Sequence, residues 1–454
     1  MPSHDLVILG AGSGGYAAGL RAAQLGKSVV LVERGQLGGT CLHRGCIPTK
    51  ALLHAAELAD GAREGHAYGV ISHLERIDMP AVNTFQTGVV RRLHQGLRGL
   101  VEAAGITVVE GRGRLVGPTD IEVEGTTWTG TDLVLATGST ARRLPGLELG
   151  ERVVTSDEAL RLDEVPRRAV IVGGSVIGVE FASVWRSFGA EVTVVEALPS
   201  LVPQEDPAAG RTLERAFRKR GITCRTGVSI EEVKEGDTEV AVRLSNGELL
   251  TADIVLVAIG RRPVTEDLGL EEQGVRTDRG WVVTDERLRT TVPHVYAVGD
   301  IVPGLQLAHR GFAHGIFVAE DIAGLEPEVI EDAGIPRVTY CRPEIASVGL
   351  TQAQAEQRYG DVGVVEYNLA GNGKSQILGT AGFVKVVRQH DGPVVGVHMV
   401  GERMGEQIGE ASLLVNWEAF PEDAARFIHA HPTQNEALGE AALAMAGKPL
   451  HVHA

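Results

Sequence analysis

The chain has 454 residues, 43% of them hydrophobic and 58 of them glycine, with a formal net charge of −16. That length exceeds one ordinary domain and predicts two to four. The acidic balance, without a long basic run, argues against nucleic acid and anionic membrane surfaces as partners, and no run approaches the ~18 apolar residues of a membrane span.

At the start of the chain, Leu6 to Leu9 reads as a buried strand, too short for a signal-peptide core and not preceded by a basic region. Gly10-Ala11-Gly12-Ser13-Gly14-Gly15 follows, then a helical stretch to about Leu25. A second strand, Ser28 to Val32, ends on Glu33. Gly10, Gly12 and Gly15 form a dinucleotide fingerprint. The first glycine makes the tight turn, and the second lets backbone approach a pyrophosphate resting on the helix N-terminus. The acid accepts from a ribose 2′-OH.

The run Gly38-Gly39-Thr40-Cys41-Leu42-His43-Arg44-Gly45-Cys46-Ile47-Pro48-Thr49-Lys50 comes next. Cys41 and Cys46 are near enough to close a small disulfide and reopen it. Beside a dinucleotide motif, such a dithiol suggests electron flow between a disulfide and a redox cofactor. A helix beginning near Cys46 would lower its thiol pKa through the positive helix end. Two buried structural cysteines or half of a metal site are the bland alternatives, and no second cysteine pair exists to complete a zinc site. The only other cysteines, Cys224 and Cys341, read as packed free thiols, and a reducing cytoplasm is the expected compartment.

Between Val89 and Ala104 the spacing of Val89, Val90, Leu93, Leu97, Leu100 and Val101 predicts an amphipathic helix packed on a core. Arg91, Arg92 and Arg98 read as its solvated face.

The fingerprint then repeats. Ala169 to Val172 is a strand, Gly173-Gly174-Ser175-Val176-Ile177-Gly178 the turn, and the helix runs to about Phe188. The strand Glu191 to Val195 ends on Glu196. The acid lies 23 residues after the first glycine in both copies (33 − 10 and 196 − 173). Gly173, Ser175 and Gly178 occupy the fingerprint positions, with Ser175 in place of the middle glycine. Glu196 would repel a 2′-phosphate, which favours NAD over NADP. Two such sites must hold different cofactors if electrons are to cross between them, and FAD with NAD is the expected pair.

Further on, the strand Val295 to Val298 ends in Gly299-Asp300, where an acid can bond a ribityl hydroxyl. His431 precedes Glu436 by five residues, so the carboxylate can orient the imidazole for general-base work on a thiol. His429 reads as structural, and the tail His451-Val452-His453 as a frayed terminus rather than a metal site.

Together these residues resemble the class I pyridine nucleotide-disulfide oxidoreductases over essentially the whole chain. The family pattern Gly-Gly-Thr-Cys-x4-Cys-x3-Lys appears as Gly38 to Lys50, and its two joints appear as Ala136-Thr137-Gly138-Ser139 and Ala258-Ile259-Gly260-Arg261-Arg262-Pro263. Its last FAD motif appears as Tyr296 to Asp300. Within the family, His431-Pro432-Thr433-Gln434-Asn435-Glu436 is similar to the catalytic segment of the dihydrolipoyl dehydrogenase branch, with Asn435 where many members have serine. The stretch Asn368 to Val387 resembles actinobacterial-type members most closely.

The resemblance implies an α/β fold: two Rossmann-like dinucleotide-binding domains, for FAD and NAD, plus a C-terminal α/β dimerisation domain. The implied divisions are 1–148, 149–267, 268–335 and 336–454. It further implies that Cys46 faces the flavin, that Cys41 exchanges with substrate, and that Lys50 pairs with Glu180 near the flavin. His431 and Glu436 would act in the opposite subunit's site of a homodimer. Cofactor contacts are implied at Gly39, Thr40, Lys50, Gly113, Thr137, Gly138, Ser139, Asp300 and Ala308 for FAD. Val228 and Gly260 are implied for NAD. The expected substrate is the dihydrolipoyl arm of a lipoyl domain, on an acyltransferase or a glycine-cleavage carrier. A mercuric-type or other disulfide reductase and a mainly structural docking subunit are the competing readings.

Overall fold

A computed structural model describes residues 3–452. Strand Ser3–Leu9 lies inside a seven-stranded sheet, with parallel partners Val29–Glu33 and Thr126–Leu135. Leu6, Val7 and Ile8 are fully buried, as expected of a parallel strand covered on both faces. Strand Thr107–Glu110 extends one side, and the antiparallel strands Arg114–Gly117 and Asp120–Val123 extend the other. Much later in the chain, Val295–Ala297 returns to pair in parallel with Thr126–Leu135.

Helix Ser13–Gln24 crosses helix Ala308–Ile322 at close range. The crossing needs glycine, because a Cβ on Gly14 would sit 2.9 Å from Val298 Cγ2 and one on Gly311 2.6 Å from Ser13 Oγ. This contact locks the returning segment onto the first nucleotide fold.

The second copy builds a separate five-stranded parallel sheet, ordered 223–226, 191–196, 168–172, 254–257 and 153–154. Helix Val176–Phe188 packs on it, and an antiparallel meander over 230–252 adds a three-stranded sheet. The C-terminal region forms a five-stranded antiparallel sheet, ordered 337–339, 344–349, 394–401, 383–389 and 362–368. Helices Met404–Asn416 and Glu436–Met445 cover it over their own apolar core.

A polar cluster ties the three regions together. Asp60, on the long helix Cys46–Glu64, accepts from Ser187 Oγ at 2.7 Å, Arg220 at 3.2 Å and Arg342 at 2.8 Å.

Two expectations need correction. The helix seen from Val89 in fact runs Met79–Ala103, started by Asp78, whose side chain accepts from the Ala81 N–H at 3.1 Å. Leu97 and Val101 are buried, but Leu93 and Leu100 are 46% and 60% exposed. Two of the six stripe residues, Leu93 and Leu100, are thus left uncovered by the chain itself. The tail is also less frayed than expected: His451 donates its backbone N–H to Glu440 at 3.0 Å and meets it again through Nδ1 at 2.8 Å. His453 lies outside the described residues. Among those described, no helix is long and apolar enough to cross a membrane, and no group of three or more His, Cys, Asp or Glu is arranged to hold a metal ion.

Candidate active site

The two fingerprints fold into cradles with corresponding geometry. Gly10 and Gly173 have φ of 102° and 110°, and a Cβ on either would strike the backbone of Ala136 or Ala258. A Cβ on Gly15 or Gly178 would strike the carbonyl of Gly10 or Gly173, fixing the helix-to-strand approach. Both acids grip their own turns: Glu33 accepts from the Ala11 and Gly35 N–H groups at 2.7 and 2.8 Å, and Glu196 from Gly174 and Leu198 at the same distances.

The serine in the second copy is also explained. Gly12 has ordinary extended backbone, with φ −73° and ψ −170°, and a Cβ there would meet nothing within 4 Å. Ser175 adopts nearly the same angles, −91° and −169°, without strain. Both cradles therefore fit a dinucleotide. A cleft lined by Gly10, Glu33, Gly113 and Thr137 opens beside the first, and Arg34, Arg112 and Glu266, not singled out from sequence, join its wall.

Further candidates lie at the two joints and beside the two cradles. Thr137 Oγ1 donates to Val264 O at 2.6 Å. Ser139 Oγ donates to Asp300 at 2.6 Å and accepts from Arg261 Nε at 2.7 Å. Arg261 is a missed member of this set, and its place in the second joint was the available signal. Gly138 and Gly260 take positive φ at the two joints, 73° and 106°. Ala308 begins its helix, and a Cβ on Gly39 would press on Gly12. Thr40 lies in the redox loop between Gly39 and Cys41. The Val228 N–H donates to Glu196 O at 3.1 Å, placing it at the second cradle.

The loop expected to be redox-active is a short helix, Gly39–Arg44, followed at Gly45 by the helix Cys46–Glu64. Cys46 thus opens a helix as expected, and both thiols are free and partly buried. Cys46 is lowered to about 7, chiefly by the hydrogen bond it receives from the Cys41 thiol; burial opposes this, and the Lys50 charge assists. Cys41 is pushed up, first by that same bond and then by burial. The neighbouring Cys41 thiol and the Lys50 charge together favour ionisation at Cys46. His43, inside the loop, packs edge-on against His94 with ring centroids 5.0 Å apart, and Arg44 reaches Asp157 at 3.6 Å.

Lys50 lies one turn beyond Cys46, and its Nζ meets both oxygens of Glu180, at 2.9 and 2.8 Å. Burial alone would drive the ammonium down, but the Glu180 charge holds it above its ordinary value. The pair joins the redox helix to the second nucleotide helix.

His431 Nδ1 meets Glu436 Oε1 at 2.9 Å, and the other oxygen of Glu436 accepts from the Thr433 N–H at 2.7 Å. The imidazole is 78% exposed on this chain. His429 is enclosed and bonded to Glu410 at 2.9 Å, in keeping with a structural role, and Asn435 donates to the same carboxylate at 2.6 Å.

Comparison with known proteins agrees with this geometry. Residues 4–315 match the pyridine nucleotide-disulphide oxidoreductase family, and residues 335–442 match its dimerisation domain. A curated dihydrolipoyl dehydrogenase of Bacillus subtilis is 39% identical over 99% of both chains. One from Thermus scotoductus is 38% identical over 100% of this chain and 99% of its own. Among solved structures, LpdA of Mycobacterium tuberculosis superposes with a TM-score of 0.91 at 26% identity, covering 98% of this chain and all of its own. The HOCl-induced flavoprotein disulfide reductase RclA of Escherichia coli superposes at 0.88 and 26% identity, covering 97% of this chain and 99% of its own. On cradles, dithiol and full-length likeness alike, this chain belongs to the pyridine nucleotide-disulphide oxidoreductase family.

Proposed function

We propose that this chain is a dihydrolipoyl dehydrogenase, oxidising protein-bound dihydrolipoyl groups to the cyclic disulfide while NAD+ becomes NADH. The observation that carries this reading is a dithiol with one depressed thiol, Cys46, in a chain that also holds a carboxylate-oriented histidine, His431. The curated relatives of 38–39% identity carry the same activity in their names.

His431, from the partner subunit of a homodimer, takes a proton from one substrate thiol. The resulting thiolate attacks Cys41 of the Cys41–Cys46 disulfide, and Cys46 departs as a thiolate. The second substrate thiol displaces Cys41 and closes the lipoyl disulfide, its proton passing to the Cys41 sulfur as that sulfur leaves. Two electrons then rest on the Cys41–Cys46 dithiol. Splitting the transfer this way is nucleophilic catalysis. FAD and NAD, when bound, supply the onward electron and hydride chemistry. Gly10, Gly12, Gly15, Glu33, Gly39, Thr40, Gly113, Thr137, Gly138, Ser139, Asp300 and Ala308 would hold the first. Gly173, Ser175, Gly178, Glu196, Val228 and Gly260 would hold the second. The Lys50–Glu180 pair stands where charge adjoins the thiolate.

We place the domain divisions at 148/149, 267/268 and 335/336. A lipoyl domain of an acyltransferase or glycine-cleavage carrier is the partner this reading requires. The free thiols Cys224 and Cys341 suit a reducing cytoplasm.

The direct test is NADH formation from dihydrolipoamide and NAD+, with NADP+ and glutathione as controls. Fast NAD-dependent turnover is expected. Absence of turnover in protein with bound FAD and an intact dithiol would overturn the reading in favour of another disulfide or metal-ion substrate.

A further inference from the structure

Tyr340 follows the first strand of the dimerisation region, Arg337–Thr339, and reaches into the redox centre of its own chain. The Lys50 ammonium lies over its ring, 4.5 Å from the centroid. Its backbone N–H donates to Glu180 Oε1 at 2.9 Å. Glu180 is the carboxylate that takes Lys50 Nζ on both oxygens. One residue thus grips both members of the ion pair, Lys50 through the ring face and Glu180 through the backbone.

Physical chemistry gives this grip a purpose. A lysine ammonium is a point charge on a flexible stem with three donors. One carboxylate leaves part of that charge unmatched, and an aromatic face accepts it without adding a formal charge. Two residues later, Arg342 pins the far end of the same helix through Asp60 at 2.8 Å and Glu64 at 2.6 Å. A single loop of the dimerisation region therefore holds the redox helix near both ends.

We propose that Tyr340 is a positioning residue, holding the Lys50–Glu180 pair so that the ammonium stays beside Cys46. The inference rests on Cys41 and Cys46 being the redox pair of the proposed reaction. The charged and titratable groups facing this point are few. Lys50 meets Glu180 from the second nucleotide helix, Cys46 from its own helix and Tyr340 from the dimerisation region. Cys46 also meets Cys41 from the redox loop and the Glu180 charge, which opposes Lys50, and Arg261 from the second joint senses it. Glu344 and Glu406 stand beyond Tyr340. Lys50 is thus the cation on the sulfur's own helix, and loosening it should raise the Cys46 thiol.

The test replaces Tyr340 in the full-length, FAD-loaded dimer by phenylalanine and by a series of increasingly fluorinated phenylalanines. Fluorine drains the negative face of the ring while nearly preserving its shape. In the dithiol form, alkylation of Cys46 is followed against pH by peptide mapping. Tyr340→Phe should alkylate as the parent does. Along the fluorinated series the rate at neutral pH should fall stepwise, roughly fivefold in all, with the midpoint moving to higher pH. Tyr340→Leu should match the last of the series. A flat series in folded protein would overturn the proposal and leave Tyr340 a packing residue. If the lipoyl reading alone were wrong, the fluorinated series would still slope while dihydrolipoamide gave no NADH.

Discussion

His431 and Glu436 meet at 2.9 Å across the turn that opens the helix Glu436–Met445. The carboxylate is itself anchored by the Thr433 N–H, so the imidazole is aimed rather than free. Burial acts to raise Glu436, but that N–H and His431 outweigh it and keep the carboxyl below its ordinary range. His431→Ala should cut kcat/KM for dihydrolipoamide by roughly 10²–10⁴ while leaving FAD content and Cys46 alkylation intact. Glu436→Gln keeps the ring but not the charge, and should lose about tenfold. Rates within threefold of the parent in both variants would remove this pair from the chemistry.

We propose that the choice of NAD rests on Glu196. Its oxygens already accept from Gly174 and Leu198 N–H groups at 2.7 and 2.8 Å, so the carboxylate is fixed at the mouth of the second glycine turn. A 2′-phosphate would meet that charge at short range. Replacing Glu196 by serine should raise KM for NAD+ by roughly 10- to 100-fold, the worth of a charge-assisted hydrogen bond, and should lower KM for NADP+. Steady-state kinetics with both nucleotides check this, and unchanged preference would show that specificity lies elsewhere.

Local pattern carried the two cradles, the close dithiol and the histidine–carboxylate pair, while the C-terminal region came from resemblance. Both cradles, the helix beginning at Cys46 and the His431–Glu436 pair depend on residues within about two dozen positions, where glycine geometry and strand alternation act directly. The Lys50–Glu180 pair spans 130 positions and came from resemblance alone. Arg261 was passed over although it stands in the second joint, and Tyr340 was not singled out because its role arises from tertiary approach. A tyrosine after a short strand has no local signature for gripping a lysine far upstream. The half-exposed helix Met79–Ala103 misled for a related reason: spacing reveals an apolar stripe, but not how much of it the chain itself covers.

Acid should loosen the first nucleotide fold before it protonates ordinary carboxylates. His314 is 3% exposed, and burial lowers it from 6.5 to about 4. Because its folded value is depressed, the unfolded chain takes up the proton first. The stability it contributes is present above pH 6.5 and is lost as pH falls toward 4, amounting to about 3 kcal/mol at most. His398, buried in the C-terminal sheet, is lowered by burial too and acts with the same sign. His314→Asn retains an acceptor for the Gly299 N–H, which the histidine takes at 3.3 Å. Thermal melts of this variant should lose less Tm over that range than the parent, and parallel losses would refute the assignment.

The C-terminal sheet is fastened to the second nucleotide domain by a buried charge pair, Lys385 with Asp206 at 2.9 Å, their side chains 9% and 1% exposed. Asp206 also caps the helix Pro207–Lys219, accepting from the Ala208 N–H at 3.0 Å. Burial would raise its carboxyl, yet the cap and Lys385 together hold it below the usual value. Its contribution is therefore present above the ordinary carboxylate range and lost as pH falls through its lowered folded value. Lys385→Met removes the cation but not the buried anion, and should destabilise the protein by about 3–5 kcal/mol. Adding Asp206→Asn removes the stranded charge while keeping a capping oxygen, so the double variant should recover part of that loss. Urea unfolding across the four-member cycle reads the coupling. Additive losses would mean the two side chains act through separate contacts, the cap for one and packing for the other.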